Sequence, residues 1–460
     1  MAVFFAISLV VLAPLVIGAI DIYMSSNQRA RLQDALDAAA LYAARSSATT
    51  TQDLTTIGRR ALEANLTQNE RDRLVGNPTF EITSSRILAS AAMAPESVAS
   101  GLWNHGNLTV NTEVVRSSQN IEVSLVLDIT GSMAGSKITD LKSAATSLVD
   151  IVVQDVQTPY YTKMAIVPYS NAVNVGSYAA AVRSAIPAAK PITNITRASP
   201  GVVTSASHGM ANGTVVYITG VNGMTKINDK YYTVANKTTN TFQVSGVNTT
   251  SGNGYSAYTS GGGIYCFTLG CQYYKFTDAA GGTKTFQVTT CVSERTGVNK
   301  YNDTSPSTSP VGYVYTASSA PENPCPTASI VPLTTDKAAL KATIAALTDG
   351  GSTAGQIGLA WGWYMVSPNF GYLWPQASNR PAAYTAPETL KVVILMTDGA
   401  FNTAYCNGVI AKNSSSGSGS DGNHHDCNAT NGSSSSQASS LCSAIKGQNI
   451  VLYTVGFDIA

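Results

Sequence analysis

Asp128, Thr130 and Ser132 alternate along the segment DITGS, and each carries an oxygen that a hard cation can use. Alternation lets the three oxygens converge on one point, and Gly131 between them permits a tight turn. One carboxylate and two hydroxyls, with water for the remainder, suit octahedral Mg²⁺ at about 2.1 Å, with Mn²⁺ as the alternative, whereas zinc prefers nitrogen and sulfur. The competing reading is a plain strand-to-helix turn in which Ser or Thr caps the helix. Two later segments bear on the choice. TDGGSTAGQ sets Thr353 in a Gly-rich loop at the start of a helix, and KVVILMTDG ends a second buried strand at Asp398.

The elements around these residues are legible from periodicity. IEVSLVLD, residues 121–128, is a β-branched apolar run long enough for one buried parallel strand. From Lys137 the positions Ile138, Leu141, Ala145, Leu148, Ile151 and Val152 keep one helical face. The oxygens therefore stand at the carboxyl end of a strand, where open α/β sheets bind ligands. Residues 163–170 and 449–456 read as further strands and residues 336–347 as a helix. These features in this order resemble the von Willebrand factor type A fold, an α/β, Rossmann-like, mostly parallel sheet, and its metal-ion-dependent adhesion site. Asp128, Thr130 and Ser132 match that family's DxSxS motif, Thr353 its separate threonine and Asp398 its distal aspartate. Thr130 departs from the commoner serine but keeps the oxygen. The resemblance implies a bound Mg²⁺ or Mn²⁺ whose coordination an acidic residue of a protein partner completes. With two like charges in the empty site, Asp128→Ala is expected to relieve repulsion and leave the fold intact.

The N-terminus supplies the compartment. Residues 2–20 run without a charge, long enough as a helix to cross a hydrocarbon core, and Asp21 ends the run. A retained anchor is expected rather than a buried core helix or a cleaved signal peptide, since neither a basic leader nor a small-residue cleavage site is evident. In RLQDALDAAALYAAR, residues 31–45, Leu32, Ala35, Leu36, Ala39 and Ala43 recur at helical spacing, so the helix is expected to continue into an exported stalk. Anchor, charge and LQDALDAAA together resemble the TadE/TadG-like proteins of bacterial Flp (tight adherence) pilus systems. CVSERTG, PLT, GLAWGWYMVSP and ILMTDGAFNT extend the likeness to the TadG type, in which a membrane anchor carries the type A fold. Arg29 and Arg31 follow the apolar run and by the positive-inside rule would hold the rest in the cytoplasm. Long domains are translocated largely regardless of nearby charge, and widely spaced cysteines without a zinc pattern point to an oxidising compartment. The expected location is the bacterial inner membrane, spanned once, with the C-terminal part in the periplasm or cell envelope.

About 165 residues separate the strand at 163 from the helix at 336, far more than such a connection needs. Within them VVYIT, KYYTVA and TFQVSG alternate between Asn/Gly turns, the pattern of a small all-β module. It resembles the FCCH-type module first described in ubiquitin-activating enzymes and also seen in phage-associated proteins. Its strand and turn signals are complete within 190–265, and Tyr217, Tyr231 and Tyr232 read as its core. Seven cysteines all lie in the second half. Cys266, Cys271, Cys291 and Cys325 are expected to pair among themselves and Cys406 with Cys427 or Cys442, leaving one thiol. The Ser/Gly/Asn tract 412–438 reads as a loop, and His424, His425, Asp426 and Cys427 within it as an accidental neighbourhood, since adjacent residues seldom converge on one ion. The division is an anchor at 1–24, a helical stalk and linker at 25–118, the sheet domain at 119–189 and 330–460, the β-module at 190–265, and a Cys-containing loop region at 266–329.

A formal net charge of +1 offers no field for a polyanion, which excludes nucleic acid as a partner class. No His or Lys is expected to partner the hydroxyl and carboxylate set, so no enzyme is expected. The expected function is a membrane-anchored, metal-dependent protein-binding module of Flp pilus assembly. The alternatives are a phage-derived or surface adhesin binding glycan through the β-insert, and a metal-chelatase or chaperone-type subunit.

Overall fold

The computed structural model describes residues 2–457 apart from 47, 49, 84–85, 97–105, 116–118, 159, 318–322 and 415–420, with the side chains of 2–15 and 115 also outside that description. The chain divides into two units, Met1–Asn120 with Asp155–Tyr161, and Ile121–Gln154 with Thr162–Ala460.

In the first unit a single helix, α1 (Ala2–Arg45), runs on from the apolar segment without a break. Leu32, Leu36, Ala39, Ala40 and Ala43 fall on one face at three- and four-residue spacing and are fully buried. They pack on α2 (Thr51–Asn65), which Thr50 caps by accepting from the Asp53 amide. Next come α3 (Gln68–Asp72), opened by a Thr67/Glu70 capping box, and the antiparallel sheet of β1 (Thr79–Thr83), β2 (Arg86–Met93) and β3 (Leu108–Val115). Residues 79–83 and 86–93, expected within the helical stalk and linker, are strands. In β2, Ile87, Ala89, Ala91 and Met93 are buried at every second position, a period of two that its alanines obscure in the sequence. Residues 25–118 are thus a packed α/β unit and not a helical stalk. Among the described residues no helix is long and apolar enough to cross a membrane, and the side chains of residues 2–15, most of the segment expected as the anchor, lie outside the description.

The second unit begins with β4 (Asn120–Asp128) and α4 (Ser136–Val152). Helix α4 buries Ile138, Leu141, Ala145 and Val149. Ile151, expected on that face, is 77% exposed, because the 3.6-residue period passes through Val149. Strand β5 (Thr162–Tyr169) lies parallel to β4 and sets Tyr169 opposite Asp128. After β6 (Val173–Asn174) and α5 (Ala179–Arg183) the chain enters the insertion.

The insertion is built of β7 (Lys190–Pro191), β8 (Asn194–Ile195), β9 (Val202–Thr204), β10 (Val215–Asn222), β11 (Lys230–Ala235), β12 (Thr241–Val244) and β13 (Ser260–Tyr265), ordered β7-β13-β10-β11-β12-β9-β8. Val203, Ile218, Ile227, Phe242 and Val244 are among its fully buried core residues. Tyr232 belongs to that core. Tyr217 is buried outside it, in a seam of rings with Tyr231, Phe267, Tyr265 and Tyr273 whose centroids lie 4.7–5.2 Å apart. His208 is buried too, bonded through both ring nitrogens to the backbone of Thr241 and Met210.

The region 266–329, expected as loop, carries a sheet of β14 (Tyr273–Thr277), β15 (Thr283–Ser293) and β16 (Gly312–Thr316), with β6 alongside β15. Its strands are rich in Thr, Tyr and Lys on the outer face, which reads as loop polarity in the sequence. Disulfides join Cys266 to Cys271, Cys291 to Cys325 and Cys406 to Cys427, and Cys442 is free, matching the expected pairing groups.

The chain returns through β17 (Val331–Thr334), α6 (Lys337–Ala345), α7 (Gly355–Val366), β18 (Thr389–Thr397), β19 (Tyr405–Cys406), β20 (Val409–Ile410), α8 (Ser434–Gly447) and β21 (Val451–Gly456). The central sheet has the order β17-β5-β4-β18-β21, with β5 parallel to β4, β21 parallel to β18 and β17 antiparallel at one edge. Leu125 and Leu127 face the core shared with α4 and α6, while Val126 faces the core shared with α7 and α8. Covered on both faces, β4, β5 and β18 are continuous apolar runs, whereas β21 at the edge is largely exposed. Gly358 and Gly362 let α7 settle on the sheet. A Cβ at Gly358 would stand 2.6 Å from the Tyr169 ring, and one at Gly362 would stand 2.5 Å from Val126. The chain leaves β4 to one side for β5 and β17, and later fills the other side with β18 and β21. The carboxyl end of β4 is therefore a switch point, where such sheets open a crevice.

Candidate metal centre

Strand β4 ends at Asp128 because the next residues leave the sheet: Thr130 is extended, Gly131–Met133 make one tight turn, and Gly135, at φ 81°, redirects the chain into α4. Asp128 and Thr130 are both completely buried. The Asp128 Oδ1 accepts from the Thr130 hydroxyl at 2.6 Å and its amide at 3.0 Å. Its Oδ2 accepts from the Thr397 hydroxyl at 2.7 Å and the Tyr169 hydroxyl at 3.0 Å. The Thr130 and Ser132 hydroxyl oxygens lie 3.0 Å apart, and Ser132 donates to Asp398 Oδ1 at 2.9 Å. Four of the five residues singled out from the sequence are thus one continuous string of oxygens.

The fifth, Thr353, is brought close through its backbone. The Gly131 amide donates to Gly351 and the Gly350 amide to Ile129, both at 2.9 Å, which docks the Gly-rich loop on the DITGS loop. The Asn402 side chain receives the Thr353 amide at 2.8 Å and fixes the residue in place. Among the described residues no hydrogen bond joins the Thr353 hydroxyl to the other four.

Three participants escaped the sequence reading. Tyr169 and Thr397 hold Asp128 from the adjacent strands, and Lys137, in the first turn of α4, donates to Asp398 Oδ2 at 3.0 Å. Thr397 had a signal, since it precedes Asp398 on the same strand; Tyr169 and Lys137 had none outside the fold. Burial pushes the Asp128 carboxyl above its ordinary range, opposed by the hydrogen bonds from Thr130, Thr397 and Tyr169. Burial likewise drives the Tyr169 phenol well up, with the Asp128 charge adding to it. Against the repulsion that Asp128→Ala is expected to relieve stands a cost of its own: the carboxylate is a buried acceptor for three hydroxyls, and its removal takes that acceptor from Tyr169 in particular.

The donor set fits a hard divalent cation. Adjacent ligands of an octahedral ion at about 2.1 Å stand about 3.0 Å apart, the spacing of the Thr130 and Ser132 oxygens. Carboxylate and hydroxyl oxygens without nitrogen or sulfur suit Mg²⁺ or Mn²⁺. Lys137 keeps a positive charge at Asp398, so an arriving ion competes with that ammonium for the carboxylate. Another group, Cys406, His425 and Cys427, also gathers its ligand atoms within 4.8 Å. Its sulfurs are joined as a disulfide, and His425 stacks on Phe276 and meets the Tyr274 hydroxyl at 3.0 Å, so this neighbourhood is structural as it stands.

Residues 1–46 match the Flp pilus-assembly TadE/G-like family. Residues 198–267 match the FCCH domain of ubiquitin-activating enzyme E1, which coincides with most of the β-module. No curated protein matches the chain. Among solved structures, the pilus adhesin SpaC from Lactobacillus rhamnosus GG aligns over 86% of this chain at 10% identity with a TM-score of 0.24, and the chain spans 29% of its length.

Proposed function

We propose that the second unit is a von Willebrand factor A-type domain whose adhesion site, built from Asp128, Thr130, Ser132, Thr353 and Asp398, binds Mg²⁺ or Mn²⁺ and, through it, an acidic side chain of a protein partner in Flp pilus assembly. The observation that carries this reading is the string of oxygens at the carboxyl end of β4, spaced for a hard cation. The antiparallel edge strand beside parallel neighbours and the match of residues 1–46 support it from independent directions. The metal acts in recognition. Asp128 and Asp398 supply two negative charges, so binding is modest and a coordination position stays open to a partner carboxylate. In this reading the 2–20 segment anchors the chain in the inner membrane and the disulfide-bearing part faces the cell envelope. Incubating the tagged full-length chain with cell-envelope extract, in Mg²⁺ or in chelator, tests the proposal. Pilus-assembly proteins should be retained only with Mg²⁺ and lost by Ser132→Ala; equal retention in chelator would overturn it.

A further inference from the structure

The Cys406–Cys427 disulfide has an imidazole at its side, and the backbone that gathers the three residues does not depend on the sulfur–sulfur bond. Cys406 is held in the β19–β20 hairpin, paired with Val409. The segment that carries the other two is tied to the same hairpin and to β14. The His425 amide donates to the Ile410 carbonyl at 2.8 Å, the Asp426 amide to Thr277 at 2.9 Å, and the Lys412 amide to the Cys427 carbonyl at 3.0 Å. These bonds survive reduction, so the two thiols and the imidazole stay together when the disulfide opens. His425 is already aimed: its Nδ1 lies 3.0 Å from the Cys427 sulfur. The Tyr274 hydroxyl, 3.0 Å from Nε2, can accept the N–H there and leave the Nδ1 lone pair for an ion.

Two thiolates and an imidazole are a donor set for zinc and not for a hard ion such as Mg²⁺. Tetrahedral zinc, at about 2.3 Å from sulfur and 2.0 Å from nitrogen, sets its ligand atoms about 3.6–3.8 Å apart. The ligand atoms of Cys406, His425 and Cys427 lie within 4.8 Å of one another. Side-chain rotation once the sulfurs part supplies the remaining adjustment. Cys406 is buried while His425 and Cys427 are half-buried, so solvent reaches one side of the group. That side admits the ion and a water as fourth ligand.

We propose that Cys406, His425 and Cys427 form a redox-gated zinc site, closed as the disulfide and opened by reduction. A dithiol reductant passes two electrons and two protons to the disulfide, leaving two thiols and becoming a disulfide itself. Zn²⁺ then forms one bond to each sulfur and one to His425 Nδ1, and the two thiol protons leave to solvent. Re-oxidation restores the sulfur–sulfur bond and expels the ion. The site is separate from the oxygen centre at the end of β4 and does not depend on it.

The test is anaerobic titration of Co²⁺, a coloured stand-in for zinc, into the full-length chain held reduced by a water-soluble phosphine. Reduced wild type should develop a thiolate-to-cobalt charge-transfer band, Zn²⁺ should erase it by competing for the same donors, and the oxidised chain should show none. A site of oxygens alone gives no thiolate band, so the outcome at the other centre does not enter. His425→Gln and Cys427→Ser should each weaken Co²⁺ binding at least ten-fold, with the fluorescence of the buried Trp361, Trp363 and Trp374 reporting that the variants stay folded. Cys442→Ser, which removes the free thiol, should leave the band unchanged. A band that persists at full strength in both His425→Gln and Cys427→Ser belongs to the other cysteines and would overturn the proposal, as would its absence from reduced wild type.

Discussion

Replacing Asp128 in the metal-free protein separates two accounts of this residue: a charge the fold would rather lose, or an acceptor the fold requires. Asp128→Ala removes the partner of three hydroxyls. Thr130 retains Ser132 within 3.0 Å, and Thr397 still accepts from the Gly399 amide at 3.2 Å, so neither is left alone. The Tyr169 hydroxyl is completely buried and bonds to Asp128 Oδ2, and its loss costs about 1–3 kcal/mol. Relief of the buried charge offsets part of this, giving a net loss of about 1–2 kcal/mol for Asp128→Ala. Asp128→Asn keeps one acceptor oxygen, and its amide can donate to the hydroxyls in turn, so it should lose less than about 1 kcal/mol. Urea unfolding in chelator, followed by tryptophan fluorescence, reads the correct unit, because Trp361, Trp363 and Trp374 are all buried in its core. Midpoints should rank wild type, Asn, Ala. Alanine as stable as wild type, or more so, would refute the acceptor account and restore the repulsion account.

Three further outcomes follow from other buried groups. Lys391 pairs with the fully buried Glu122, and Lys391→Met, which removes the ammonium from that buried carboxylate, should cost about 3–5 kcal/mol in the same unfolding assay. Burial pushes the Glu294 carboxyl from 4.5 up to about 7, so folding favours its protonated form: its contribution is most favourable below pH 4.5 and is lost as pH rises toward 7. Glu294→Gln should therefore gain on wild type by about 3 kcal/mol between pH 4.5 and 7 and stay level above, and melts across that window check the sign. Residues 190–267 expressed alone should melt cooperatively on their own core, yet bind a hydrophobic dye through the Tyr217 and Tyr265 rings that the longer chain packs on Tyr273.

The middle of the central sheet was legible because β4, β5 and β18 are buried on both faces, which writes them as unbroken apolar runs such as SLVLD and VVILM ending in oxygen-bearing residues. The β-module was legible because Asn/Gly turns punctuate it. Strands β1 and β2 of the first unit were not: alanines in β2 carry little hydrophobic contrast, and a period of two drawn in Ala and Ser passes for helix. The β14–β16 sheet hid for the opposite reason, its outer face being Thr, Tyr and Lys. At the candidate metal site, the residues local to one loop were singled out from their spacing. Tyr169 and Lys137 were not, since what they touch is decided by strand register and by the turn into α4, which no linear spacing encodes.

The central claim is that the oxygens at the end of β4 take up a divalent cation. Isothermal calorimetry of Mg²⁺ into the detergent-solubilised full-length chain tests it directly, alongside Ser132→Ala and Asp128→Asn, the latter chosen because it spares the hydroxyls around it. Wild type should saturate with one ion at millimolar metal, Ser132→Ala should bind at least ten-fold more weakly, and Asp128→Asn should not bind. Equal uptake by all three, or none by wild type, would contradict the account and leave DITGS a strand-to-helix turn held together by its own hydrogen bonds.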